Sequence, residues 1–158
     1  MTTEVYDFIS NNYSNSKIIM TKNNKIEFTN IDKSKQTECG IKPKGLWYGI
    51  GTSWIDWVKS EMPEWEYDNI FEIIIDESKI FKIKNQLDLY IFNLQFFSTL
   101  DKNFKLINWK NVSLVKHGIE IYPYSDIFDI DLLWYRTWDV SSGCIWSEDI
   151  IIDIVKIV

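Results

Sequence analysis

The sequence predicts an α+β fold with a mainly antiparallel sheet, and three observations carry that prediction. Short β-branched and aromatic runs are mixed with short amphipathic segments, without the regular strand–helix–strand rhythm of a parallel sheet. The chain has 158 residues, near the common size of one domain, and shows no repeat, linker or low-complexity tract. Hydrophobic residues make up 46% of it and aromatics 16%, ample material for one core at that length.

Residues 3–12 read as a short helix. Lys17–Thr21 and Lys25–Ile31 are two β-rich runs around Asn23-Asn24, the signature of a hairpin. Residues 32–44 are polar, contain Gly40 and Pro43, and read as a loop. Gly45–Ile50 is an aromatic-rich strand. Ser53 is suited to cap the helix that follows, in which Trp54, Val58 and Met62 share a face until Pro63 ends it. Asn69–Asp76 alternates as a strand, with Phe71, Ile73 and Ile75 on one side, and Ile80–Ile83 reads as another. Residues 86–99 place Leu87, Ile91, Leu94 and Phe97 on one side of an amphipathic helix. Trp109–Val115 makes one or two helical turns, and Ile119–Tyr122 a strand stopped by Pro123. Residues 126–135 fit either state, and Trp138–Trp146 and Ile150–Ile157 complete the chain, the latter as a β-rich run.

Composition excludes several functions. No apolar run reaches the ~20 residues of a membrane span, and Met1-Thr2-Thr3-Glu4-Val5 lacks the basic start of a signal peptide. A cytoplasmic location is expected, with Cys39 and Cys144 as free thiols. The net charge of −6 disfavours bulk nucleic-acid binding. The charge is uneven, however. Lys17, Lys22, Lys25, Lys33, Lys35, Lys42 and Lys44 make the N-terminal third basic, which suits either solvated loops or a phosphate-bearing ligand. The absence of alanine and the abundance of Ile, Asn and Lys suit an AT-rich viral or bacterial genome.

His117 is the only histidine, so a multi-histidine metal site is excluded, and the cysteines lack metal-ligand spacing. No metal is expected. A Ser–His–Asp triad or a Cys144–His117 pair would have to use that one imidazole. Two segments carry more information. One runs from Lys42 through Lys44, Gly45, Leu46, Trp47, Tyr48 and Gly49 to Ser53 and Trp54. The other runs from Trp134 through Arg136, Trp138, Asp139, Ser141, Ser142 and Cys144 to Trp146. Both interleave aromatics with glycine, hydroxyls and a cation. Such walls suit a flat heteroaromatic ligand carrying a sugar; a Trp-rich core with turns has the same composition. Between them, Glu120 is an acid flanked by isoleucines on a strand. If Ile119 and Ile121 face the core, Glu120 points to the other face, either into a cleft or as an exposed strand acid.

Lys42-Pro43-x-Gly45-Leu46-Trp47, then Ser53-Trp54 and Trp57, then Gly118-Ile119-Glu120-Ile121-x-Pro123-Tyr124, then Trp138-Asp139-x-x-Ser142-Gly143-Cys144-Ile145-Trp146 resemble a group of small proteins in phages, large DNA viruses and bacteria. That group resembles a distant branch of the ADP-ribosyltransferase superfamily. The resemblance covers residues 25–150. It implies a split, mostly antiparallel sheet with helices around a central cleft, and NAD as the bound substrate. Glu120 would then stabilise the oxocarbenium-like state as the nicotinamide–ribose bond breaks. Trp47 or Tyr48 would stack on nicotinamide, Ser53 would bind its amide, and Lys42 and Lys44 would meet the diphosphate. Gly45 and Leu46, with Trp138, Ser141 and Ser142, would complete the wall. The acceptor would be protein, nucleic acid, a small molecule or water. The first strand departs from the pattern: it reads Ile26-Glu27-Phe28-Thr29, where many relatives carry Arg or His.

Two other readings stand beside this one. The same aromatic cleft would serve a non-catalytic module that binds a nucleotide, sugar or peptide, with a role in virus–host or toxin conflict. A hydrolase would instead pair Glu120 with Asp139.

Overall fold

The computed structural model describes residues 1–28, 32–128 and 131–158. The fold is α+β. Seven strands form one continuous open sheet: β1 (Lys17–Thr21), β2 (Leu46–Ile50), β3 (Asn69–Ile75), β4 (Phe81–Ile83), β5 (Gly118–Ile121), β6 (Ser142–Ile145) and β7 (Ile151–Lys156). Their order is β4-β5-β6-β2-β1-β3-β7. Every pairing is antiparallel except β4 with β5. The helices are α1 (Thr3–Asn12), α2 (Ser53–Glu61), α3 (Gln86–Phe96), α4 (Trp109–Val115) and α5 (Leu133–Arg136). The sheet is thus unbroken, where the resemblance implied a split one.

The expected hairpin does not form among the described residues. Residues 25–28 have no strand structure, and 29–31 lie outside the described residues. β1 pairs instead with β2 and β3, both far along the chain. A central strand buries Ile18, Ile19 and Met20 on both faces. A two-stranded hairpin would leave one of those faces wet, so the burial of apolar area favours the distant partners.

The sheet's two faces are coated differently. On one face Ile19, Tyr48, Ile50, Ile73, Ile75 and Ile145 form a cluster with Ile80 and Ile150. The other face carries the helices in two groups. α1 and α2 cover Ile18, Met20 and Ile70 through Ile9, Ile55 and Val58. α3, α4 and α5 cover Ile119, Ile121 and Cys144 with Phe92, Trp109, Trp134 and Trp138. The helical face therefore holds two cores side by side, with a gap where β1 and β2 form the floor.

Helix α3 corrects a second expectation. Its buried residues are Leu89, Phe92 and Phe96, whereas Leu87, Ile91 and Leu94 are 67%, 54% and 72% exposed. The helix is apolar on both sides, so periodicity alone could not say which side faces inward.

Candidate functional site

The gap between the two helical groups is a cavity of about 390 Å³. β1 and β2 supply Ile18, Ile19, Met20, Trp47, Tyr48 and Gly49; Trp54 of α2 lines it, as do Trp138, Ser142 and Lys42. Gly49 sets the width of the floor. A Cβ there would lie 2.7 Å from Trp54 Cβ, so only glycine lets the first turn of α2 settle this close to the strand.

The walls are indole rings. Trp47 lies against Trp138 with centroids 4.9 Å apart and planes tilted by 56°. Lys42 Nζ sits 5.8 Å from the Trp47 ring centroid. Trp54 stacks on Trp57 at 4.9 Å and 13°, and Trp57 leads on to Trp65 at 6.3 Å. Lys42 is the one charged residue in the lining among the described residues.

The eight tryptophans divide into two groups. Trp109, Trp134, Trp138 and Trp146 are buried, and each donates its indole N–H inside the protein: to the Gly40 carbonyl at 3.1 Å, Asn93 Oδ1 at 3.0 Å, the Ser142 carbonyl at 3.4 Å and the Lys116 carbonyl at 2.9 Å. Trp47, Trp54 and Trp57 are half-buried and Trp65 is exposed. None of these four donates an indole hydrogen bond to a group among the described residues. Sequence alone marked the two tryptophan-rich segments but could not make this division, because it depends on which partners the fold brings near.

Of the expected site residues, the cavity gathers Lys42, Trp47, Trp138 and Ser142. Tyr48 borders it from β2 but turns its ring to the opposite face, onto Glu120, so the expected stacking role falls to Trp47. Ser53 and Ser141 line a separate polar hollow with Ser10, Ser14, Thr52, Asp56 and Tyr122. Ser53 is the first residue of α2, not its cap. Its hydroxyl accepts from Ile50 N–H at 3.1 Å and donates to the Ser141 carbonyl at 2.6 Å, so it ties β2 to the segment before β6. Ser141 Oγ accepts from Tyr124 N–H, and Ser142 Oγ donates to the Val140 carbonyl. Lys44 is exposed, and its backbone N–H is held by the buried Gln36 side chain at 2.9 Å. Gly45 and Leu46 lead into β2 outside the cavity lining; a Cβ on Gly45 would lie 2.1 Å from the Ile145 carbonyl oxygen. Ile18, Ile19 and Met20 were missed as site residues; they come from β1, whose neighbours sequence did not reveal. Gly49 and Trp54 fell within a segment the sequence singled out but were given no individual role.

Glu120 is elsewhere. Consecutive strand residues point to opposite faces. Tyr48 crosses over Gly143 and donates its hydroxyl to Glu120 Oε1 at 3.0 Å. Glu120 thus shares Tyr48's face, and Trp47 points to the other one. Gly143 makes the crossing possible, since a Cβ there would lie 2.3 Å from the Tyr48 ring. Glu120 is 6% exposed and pairs with Lys17 at 3.2 Å. Lys17 also meets Glu77 at 2.8 Å, as does Lys82. The result is a chain of alternating charge across β5, β4, β1 and the turn after β3.

The titration behaviour follows from this network. Burial acts to lower the Lys17 pKa, but the hydrogen bond to Glu77 and the charge of Glu120 outweigh it and hold it above the ordinary lysine value. The hydrogen bonds from Lys17 and Lys82 hold Glu77 down to about 2. Burial, reinforced by the charge of Glu120, pushes the Tyr48 phenol well above its usual value.

The other chemical candidates are not assembled. Cys144 is buried and its thiol is pushed well up by burial, which disfavours the thiolate a nucleophile needs. Both cysteines are free. Asp139 is exposed in the turn after Trp138 and makes no contact with Glu120. Among the described residues there is no cluster of three or more His, Cys, Asp or Glu able to hold a metal, and no helix long and apolar enough to cross a membrane. Comparison with protein families, curated proteins and solved structures gives no match to this chain.

Proposed function

We propose that this protein is a non-catalytic binding module that holds a planar, negatively charged aromatic ligand, of the nucleotide type, in the tryptophan cleft. The observation that carries this reading is the division of the tryptophans: four seal their N–H groups inside the protein, and the two that line the cleft with unspent N–H groups present ring area to it. Trp47 and Trp54 both line the cavity, so a planar ligand entering it meets an indole from β2 and one from α2: stacking on one leaves the in-plane N–H of the other to meet its polar edge. Lys42 supports a negative substituent, because among the described residues no acid in the lining opposes it. The cavity volume lies in the range of small-molecule sites.

NAD, which the family resemblance implies, belongs to the same ligand class. Ribosyl transfer would also need a carboxylate beside the stacked ring. Glu120 lies on the opposite sheet face and is engaged by Tyr48 and Lys17, so the geometry supports binding better than bond cleavage.

The test is titration with ATP, NAD and adenosine, followed by tryptophan fluorescence and calorimetry, with free nicotinamide measured in the NAD arm. Saturable quenching is expected with ATP and NAD. Trp54→Ala should weaken it by about tenfold or more, the loss of one stacking partner. Lys42→Ala should weaken ATP and NAD but leave adenosine unchanged. No response to any of the three compounds, or an unaltered affinity in Trp54→Ala, would sink the reading. Sustained nicotinamide release would replace it with the transferase.

A further inference from the structure

The outer face of α3 is an apolar surface with no partner among the described residues. Leu87, Tyr90, Ile91 and Leu94 occupy positions i, i+3, i+4 and i+7 of one helix face and are 67%, 44%, 54% and 72% exposed. The inner face is already filled by Leu89, Phe92 and Phe96. A helix apolar all round is one that is covered on both sides.

We propose that the α3 face is the contact of a symmetric homodimer, in which α3 of one copy lies antiparallel on α3 of a second. Three observations select a second copy of this chain. The face is self-complementary: its ends are both leucine. An antiparallel two-fold pair therefore sets Leu87 against Leu94 of the other copy at each end, and Tyr90 against Ile91 at the centre. The four side chains of the face are themselves uncharged. Asp88 is the only charged residue of α3, and its carboxylate accepts the Lys84 N–H at 3.0 Å. Lys82 and Asp88, which line the hollow beside Ile91, are of opposite sign, so two copies that each carry a net charge of −6 can meet on the apolar stripe.

The area is also suitable. Gln86 Nε2 donates to the Phe128 carbonyl at 2.7 Å and brings the turn bearing Ile127, 81% exposed, to the N-terminal end of the face. The five side chains together expose on the order of 600 Å². A symmetric pair would bury roughly 1,200 Å², the lower bound for specific association. A concentration-dependent dimer follows, not a permanent one.

Sedimentation velocity and light scattering from low micromolar to millimolar protein test this, at low and high salt. The expected result is a monomer–dimer equilibrium that high salt does not dissociate, since no ion pair holds it. Ile91→Glu and Leu94→Glu should each weaken it by about tenfold or more, with unchanged circular dichroism because both positions are already exposed. Leu114→Glu, at a 76% exposed residue of α4, should leave it unchanged. A chain that stays monomeric throughout overturns the proposal and leaves the face to a different macromolecule. So does a dimer that survives both α3 substitutions, or one that Leu114→Glu disrupts equally.

Discussion

Trp134 and Trp54 are the same residue on the same side of one sheet, yet the fold uses them in opposite ways. Trp134 is fully buried among Phe92, Trp109, Tyr135 and Trp138, and Asn93 takes its N–H. Trp54 stands at the rim of the other helical group, with one face on Trp57 and no acceptor for its N–H among the described residues. The difference teaches that indole is used as core when a backbone or side-chain acceptor lies within the same layer. Where two layers meet imperfectly, the same residue becomes a wall. The cleft exists because two cores share a sheet without merging over β1 and β2.

The largest expected effect breaks this comparison at its buried end. Trp134→Ala or Trp146→Ala removes a fully buried ring and leaves an internal acceptor unpaired. Each should destabilise the protein by about 3–5 kcal/mol in urea unfolding. Trp54→Ala should cost no more than about half of that while weakening ligand binding by about tenfold or more. Equal losses at Trp54 and Trp134 would erase the distinction between wall and core.

An intermediate effect is expected on the other face of the sheet. Gly143→Ala forces Tyr48 off Glu120. It should cost about 1–3 kcal/mol, the usual range for overpacking. Glu120→Gln keeps the shape but leaves Lys17 with Glu77 alone, and should cost about 1–3 kcal/mol as a buried charge-assisted bond is lost. Ligand binding in the cleft should survive Glu120→Gln, because the sheet separates the two. A stable Glu120→Gln variant that no longer binds ATP would show that the faces are coupled.

The smallest effect is a pH dependence. The Glu77 pKa is held at about 2, below the ordinary carboxylate value near 4.3. Its contribution is therefore present above roughly pH 4.3 and is lost as the pH falls toward 2. Its side chain is half exposed, so solvent screening keeps the gain to about 1 kcal/mol or less. Glu77→Gln should flatten that part of the acid-unfolding curve. Lys17 works in the opposite sense. Its raised pKa contributes below roughly pH 10.4 and is lost as the pH rises through the folded value. An acid limb that Glu77→Gln leaves unchanged would remove the network from the account of stability.

Local chemistry in the sequence determined several of the turns and strands, though not the run from Lys25, whose described residues form no strand. Asn69–Ile75 alternates with a period of two, Pro63 ends α2 one turn after Val58, and Pro123 closes the segment after β5. The sequence also marked the segments around Trp47 and Trp138 as either ligand walls or core, because aromatics interleaved with glycine suit both; it is the fold that brings Trp47, Trp138 and Lys42 to one cavity. Tertiary structure alone decided three further things. It chose β2 and β3 over residues 25–28 as neighbours of β1, since burial on both faces of a strand is a long-range gain that no local pattern records. It chose which side of α3 faces inward, since both sides are apolar. And it set Glu120 and Trp47 on opposite faces: alternation fixes each residue's phase within its own strand, but the register between β2, β6 and β5 decides which phases coincide.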